Sequence, residues 1–422
     1  MVAVSHIASC TDLFDFIQRS PTARHLARSV AGQLEQGGFK EVVTGPLAAE
    51  KAGFICDQGF ICAWRGGRKP GFQLVAAHSD APALRLKDRA DLGGVGLHRL
   101  NVAPYGGAIW SSWMDRPLRA AGAVFLPGED IFHPRCLLVD SGQAVCTTAN
   151  LCIHMHQELR TGYEFHLQKD LQPLAAANSE TDLIDELLAH WGLAKDWVLG
   201  YELELLPAEE GQFVGLDKAL MSAPRLDNAA MAYAGMQAFL AAAPTDRTQV
   251  LVIFDHEEVG SGSATGAGAL RLRDILKEWH EVHFQTPWRE ALAASFMVSA
   301  DQAHGYHPNY PDKMDPTNAP MLNAGPVIKC AANQSYATDG ASAAVFEQVC
   351  RSVDLPVQRF YLHSDLRGGA TLGPILAQSL PMPVVDVGNA LLAMHAPREV
   401  GGCQDQVWMQ EALQAFYEQL GR

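Results

Sequence analysis

The sequence predicts an α/β fold interrupted by a largely β insertion, and three observations carry that expectation. Val250 to Phe254 is a run of β-branched, aliphatic and aromatic residues of the kind found in a strand buried on both faces, and Asp255-His256-Glu257-Glu258 follows at its carboxyl end. Further apolar runs at Ala294 to Asp301, Pro356 to Leu362 and Pro383 to Gly388 share the chain with helical patterns such as the alanine-rich Ala229 to Ala243. From about Ala83 to Gly215 that alternation gives way to glycines, prolines and short strand-like pieces. The expected organisation is one discontinuous domain, 1–85 with 215–422, split by an inserted domain, 86–214.

Taken in order, residues 11 to 37 place Leu13, Phe14, Phe16, Val30 and Leu34 at helical spacing and predict a helix that Gly37-Gly38 stops. Gly59 to Trp64 and Gly71 to Ala77 predict two strands of a hairpin-like unit, the second ending at His78-Ser79-Asp80. In the insert, Asn101 to Gly107 and Arg135 to Val139 read as short β pieces. Ile153-His154-Met155-His156 then precedes an acidic helix-like stretch around Glu180 to His190. The α/β pattern resumes at Arg225-Leu226-Asp227-Asn228, where Asp227 or Asn228 is placed to cap the alanine-rich helix. An amphipathic helix from about Asp405 to Leu420 closes the chain. The glycines of Gly260 to Gly266 have one residue too many for a dinucleotide fingerprint and read as a tight turn into a helix amino terminus.

Composition bounds the function. The 422 residues are 48% hydrophobic and 19% charged, enough for a substantial core. A net charge of -15 argues against nucleic acid or an anionic membrane surface as the main partner. The amino-terminal stretch lacks a basic region and a long apolar run, and no segment reaches the roughly 18 apolar residues of a membrane span, so a cytoplasmic enzyme is expected. Nine cysteines without a Cys-x-x-Cys pair make neither a disulfide framework nor a cysteine zinc site, and they fit a reducing compartment.

The chemical groups collect at strand ends: His78, Asp80, Asp227, Glu257, Glu258, Asp301 and His395. Open α/β sheets bind ligands at the carboxyl ends of their strands. Two imidazoles and several carboxylates without a thiolate suit two divalent metal ions, zinc first, with manganese or cobalt as alternatives. A shared short carboxylate would bridge them, and Asp227 is the candidate, although spacing alone does not fix which acid bridges. His78 and Asp301 would then serve one ion, and Glu258 and His395 the other. Glu257, left over, becomes the general base that takes a proton from water and passes it to a leaving amine. Asp80, two residues after His78, is placed to orient that imidazole.

Six ordered motifs carry a family resemblance: His78-Ser-Asp-Ala-Pro82, Arg225-Leu-Asp-Asn228, Asp255-His-Glu-Glu-Val-Gly-Ser261, Ser299 to Tyr310, Gly325-Pro-Val-Ile-Lys329 and Met394-His-Ala-Pro-Arg-Glu399. Over nearly the whole chain the sequence resembles the aspartyl aminopeptidase family of dinuclear zinc exopeptidases. The resemblance implies a three-layer α/β/α zinc-exopeptidase catalytic domain with an inserted, mainly β dimerisation domain. It implies the same metal ligands, His78, Asp227, Glu258, Asp301 and His395, with Glu257 as base and Asp80 in support. It further implies peptide substrates with a free amino terminus, removal of Asp or Glu, with a broader activity on neutral residues as the alternative since some relatives accept them, and dimers assembled into a tetrahedral dodecamer. In that assembly a histidine of a neighbouring insert reaches the active site, and the segment Leu151 to Met155 points to His154, with His156 close by. Lys329 could pair with an acidic substrate side chain or balance the acids of the site. Tyr336, His304 and His307 are further expected pocket residues, and Ser364 to Pro374 resembles a glycine-rich active-site loop.

Two other functions fit the same residues: a dinuclear hydrolase of another bond, such as an N-acyl amino acid, and a catalytically silent shell-forming protein. A blocked amine separates the first, because only an aminopeptidase requires the free ammonium. Metal content under replete conditions separates the second.

Overall fold

The computed structural model describes residues 2–43, 50–93, 96–177 and 182–419, with side chains from residue 7 onward. Glu180 and Leu420, used above as bounds of expected helices, lie outside the described residues, as do the chain ends Met1 and Arg422. The chain divides into two compact units. One comprises Met1–Asp80, Gly211–Met394 and Arg398–Arg422; the other comprises Ala81–Glu210 with His395–Pro397.

The first unit is a three-layer α/β/α sandwich. Its nine-stranded sheet runs in the order Lys40–Glu41, Ala52–Asp57, Phe60–Arg65, Thr248–Phe254, Phe72–His78, Phe296–Ala300, Val384–Gly388, Val327–Lys329 and Gln358–Phe360. The four strands Thr248–Phe254, Phe72–His78, Phe296–Ala300 and Val384–Gly388 are mutually parallel, so their carboxyl ends open side by side. Alternation along the strands feeds two cores. Val75, Ala77, Leu251, Ile253, Val298 and Val385 pack beneath the helices Ala23–Gln36, Leu226–Ala241, Gly340–Ser352 and Cys403–Glu418. Leu74, Ala76, Val250, Val252, Met297 and Val384 pack on the other side against Arg271–His283, Trp288–Ala293 and Leu372–Ser379. Apolar side chains on both faces explain why these strands read as unbroken hydrophobic runs.

Three expectations are corrected. The helix expected over 11–37 is two helices, Val2–Arg19 and Ala23–Gln36. Pro21 lies at the break, where its ring disfavours helical geometry at Ser20 and its nitrogen has no hydrogen to donate. The strands Phe60–Arg65 and Phe72–His78 do not form a hairpin, because Thr248–Phe254 inserts between them, antiparallel to the first and parallel to the second. Arg225, in left-handed geometry, takes the N-cap position of the helix Leu226–Ala241 in place of Asp227 or Asn228, whose non-helical dihedrals break its first turn.

A smaller sheet of the first unit orders Gln212–Val214, Leu220–Ala223, Glu399–Gly402, Ala390–Leu392 and Ala303–His304. The second unit is mainly β. Gly200–Pro207 pairs with both Ala83–Leu92 and Pro117–Leu126, which closes its sheet on itself through Leu97–Tyr105, Leu174–Ala177 and Cys146–Thr147. Leu84, Leu118, Leu203 and Leu205 are among the residues that fill its interior. All nine cysteines are free, and only Cys136 and Cys152 are exposed, which agrees with small core residues in place of a disulfide framework.

Candidate metal centre

The parallel register sets the site. Phe254 lies opposite His78, so the segment after one strand meets the last residue of its neighbour. After Phe254 the chain turns sharply, with His256 left-handed at φ 61°, into a single 3-10 turn over Glu257–Val259. Asp301 directly follows Phe296–Ala300 on the other side of His78. The sheet therefore gathers its acids around one imidazole.

His78 Nε2 lies 3.5 Å from Asp227 Oδ1, 3.5 Å from Asp301 Oδ1 and 3.9 Å from Glu257 Oε2. Its Nδ1 lies 3.1 Å from the carbonyl oxygen of Asp80, which can only accept, so Nδ1 carries the hydrogen and Nε2 is the nitrogen that could serve a metal ion. Ligand atoms of His78, Asp227 and Asp301 sit within 4.8 Å of one another; so do those of His78, Glu257 and Glu258, and those of Asp227 and Glu258. A tetrahedral zinc with bonds of roughly 2.0–2.1 Å has ligand edges of about 3.3–3.4 Å, so the 3.5 Å separations match a divalent ion with little adjustment. The donor set, imidazole and carboxylate without thiolate, fits zinc as well.

Electrostatics point the same way. Burial alone would push the His78 imidazole down, but the carboxylates of Asp227, Asp301 and Asp80 outweigh it and hold it well above its usual value. For Glu257, burial is the largest effect; His78 opposes it, Asp301, Glu258 and Asp227 reinforce it, and the carboxyl is pushed up to about 8. A cluster this rich in acids favours added positive charge, which a bound dication would supply.

Asp80 contacts more than His78. Its Oδ1 accepts the main-chain N–H of Glu257 at 3.0 Å and its Oδ2 that of Glu258 at 3.0 Å, while Oδ1 also faces His78 Nδ1 at 3.4 Å. One buried carboxylate thus ties the imidazole to the turn that carries both glutamates.

His395 belongs with the second unit, where it is left-handed at φ 67° and its Nδ1 lies 2.6 Å from the carbonyl oxygen of Gly107. That bond puts the hydrogen on Nδ1, so Nε2 is the nitrogen that could serve a metal ion. Lys329 is buried, with Nζ donating to Asp301 Oδ2 at 3.0 Å and to the carbonyl of Gln302 at 3.0 Å, and it lies 5.2 Å from the ring centre of Tyr336. Burial would lower this ammonium, yet Asp301 outweighs burial and holds it above its usual value. Tyr336 is buried near Phe360, and half-buried His304 packs edge-on against the same ring. His307 lies tilted against Tyr310, with ring centres 4.9 Å apart. His154 is exposed in a turn, while half-buried His156 packs edge-on against Tyr163. Glu399 and Gln302 had no role in the sequence reading, yet both bond to the Asp227 segment. Their only signal was position, four residues after His395 and one after Asp301.

An α/β sheet with this strand-end cluster defines a metal-dependent hydrolase. More narrowly, the chain belongs to the family described as Aminopeptidase I zinc metalloprotease (M18), whose profile matches residues 16–417. It is 37% identical over 420 residues to a probable M18 family aminopeptidase 2 of Stutzerimonas stutzeri (strain A1501), covering 96% of this chain and 97% of the relative. A relative of the same description from Clostridium novyi (strain NT) is 36% identical over 434 residues, covering 97% and 99%. Among solved structures, the M18-family aminopeptidase of Thermotoga maritima superposes with a TM-score of 0.85 at 25% identity, covering 99% of this chain and 97% of that one. A chain of the Ape4 and Nbr1 complex gives a TM-score of 0.93 at 28% identity, covering 99% and 86%. The protein is thus a peptide hydrolase of the zinc aminopeptidase type. No helix among the described residues is long and apolar enough to cross a membrane.

Proposed function

We propose that the protein is a dinuclear aminopeptidase that removes amino-terminal residues, with a preference for Asp and Glu, from peptides with a free ammonium. The observation that carries this reading is the grouping of His78, Asp227, Asp301 and Glu258 ligand atoms with Glu257 beside them. His78 and Asp301 would hold one ion, Glu258 and His395 the other, and Asp227 both. Zinc, when bound, supplies a Lewis acid for the scissile carbonyl and makes water acidic enough to lose a proton near neutral pH.

The chain's own residues do the rest. Glu257 Oε2, 3.9 Å from His78 Nε2, is positioned to accept the proton of the attacking water. It then returns that proton to the departing amine, which must leave neutral. Asp80 holds Glu257 and Glu258 in place through their main-chain N–H groups. Lys329 holds Asp301 Oδ2 and so keeps Oδ1 turned toward His78. Tyr336, His304 and His307 are proposed to line the substrate pocket.

A cytoplasmic location and self-association to dimers and a dodecamer belong to the same proposal. In it the insert, residues 86–214, is the dimerisation domain and His154 reaches a neighbouring active site. The resemblance supports these points, and a molecular mass measured in solution tests the assembly. Release of the first residue from Asp-, Glu- and Leu-initiated peptides, with amine-blocked versions beside them, tests the activity. Cleavage of blocked peptides would favour a deacylase instead.

A further inference from the structure

We infer that Glu399 is a positioning residue for the metal centre, one whose carboxylate holds the main chain of Asp227 and so fixes the proposed shared ligand. The inference rests on the dinuclear reading above. Its basis is strand register. Leu220–Ala223 and Glu399–Gly402 pair antiparallel with Ala223 opposite Glu399, and the chain runs on from Ala223 through Pro224, Arg225 and Leu226 to Asp227. The sheet therefore delivers Glu399 beside the start of the helix Leu226–Ala241.

There the N–H of Asp227 donates to Glu399 Oε2 at 2.9 Å. Glu399 is 2% exposed and Asp227 4%, so neither group has bulk water as a substitute partner. The first N–H groups of a helix have no acceptor within it. Asp227 is also non-helical, at φ -83° and ψ 108°, so the helix itself does not set its position. Long-range bonds set it instead. Gln302 Nε2 donates to the carbonyl of Leu226 at 2.9 Å, and Asn228 Nδ2 donates to the carbonyl of Ala300 at 2.9 Å. Those two tie the neighbours of Asp227 to the residues flanking Asp301. Glu399 acts on Asp227 itself, from a different strand, and a carboxylate accepting from a main-chain N–H makes a bond roughly twice as strong as a neutral one. Removing such an outer support of a ligand typically lowers metal affinity by roughly 10–100-fold.

The test uses the full-length protein loaded with zinc. Zinc per chain is measured after dialysis against graded chelator for the wild type, Glu399→Met, Glu399→Gln and Asp227→Asn. Methionine keeps the volume and removes the oxygen; glutamine keeps an oxygen that can accept. Glu399→Met is expected to release zinc at about 10–100-fold weaker chelation, with Glu399→Gln staying close to the wild type. The inference is overturned if Glu399→Met tracks the wild type or if both variants release zinc alike. A purely structural role would lower the unfolding temperature of the metal-free and loaded forms without moving the chelator midpoint, which also overturns it. Should Glu399→Met fail to fold, Glu399→Asp replaces it. That variant draws the carboxylate back by one methylene and is expected to lose zinc in the same way. A wild type that takes up no zinc refutes the dinuclear reading; Asp227→Asn losing zinc while the Glu399 variants keep it refutes this inference alone.

Discussion

Replacing Asp80 by Asn changes one atom and probes the scaffold of the site. The two carboxylate oxygens each accept a main-chain N–H at 3.0 Å, from Glu257 and from Glu258. An amide has one oxygen, so whichever way it turns, its NH2 faces one of those N–H groups at a donor-to-donor distance. One hydrogen bond to a charged acceptor is lost, worth about 1.5–3 kcal/mol, and the negative charge 3.4 Å from His78 Nδ1 goes with it. If the loss is expressed in the transition state, kcat/KM falls by about 10- to 150-fold, since about 1.36 kcal/mol is a factor of ten. The assay is kcat/KM on the best substrate of the peptide series, run beside a chelator titration and thermal unfolding of the metal-free protein. Wild-type values for both kcat/KM and zinc retention would refute the assignment of Asp80 as the tie between His78 and the glutamate turn.

Other substitutions probe separate parts of the site and fold. Glu257→Gln should retain zinc and lose about 10²–10⁴-fold in kcat, the span of a missing general base; near-normal turnover in the metal-loaded variant would remove Glu257 from that role. Lys329→Met strands Asp301 Oδ2 in a buried place and should cost about 3–5 kcal/mol in chemical denaturation while slowing Asp- and Leu-initiated peptides alike. A loss confined to acidic peptides, with stability intact, would put Nζ on the substrate instead. Asp405 is buried and pushed up to about 7, chiefly by burial and against the main-chain N–H groups of Gly325 and Asn323. Its folded pKa exceeds the unfolded value of about 3.9, so the folded state binds the extra proton between those pH values. Stability from this group is therefore complete below about pH 4 and declines as pH rises toward 7. Asp405→Asn should flatten that decline in urea melts across this range, and an unchanged slope would contradict it.

The strand ends were the legible part. Buried parallel strands need apolar side chains on both faces, so Val250 to Phe254 announced itself, and the acids after it marked the functional edge of the sheet. Strand order was less accessible. Phe60–Arg65 and Phe72–His78 are close in sequence, and nothing local discloses that a strand from more than 170 residues away lies between them. Pro21 was a readable break that the apolar periodicity around it masked. Asp227 shows the limit most clearly: an acid before an alanine-rich helix has the sequence signature of a cap. Its backbone instead leaves the helix and bonds to Glu399, 172 residues on. Asp80 was placed by its nearness to His78, whereas its bonds to Glu257 and Glu258 depend on sheet register, which single-residue spacing does not encode.

The central claim is that the strand-end cluster is a dinuclear centre serving an aminopeptidase. Its most direct test is release of the first residue from Asp-, Glu- and Leu-initiated peptides, with zinc per chain and molecular mass determined on the same sample. The prediction is two metal ions per chain and cleavage that requires the free ammonium, fastest on Asp or Glu. Metal-loaded, assembled protein that releases no residue from any of the three peptides would contradict it.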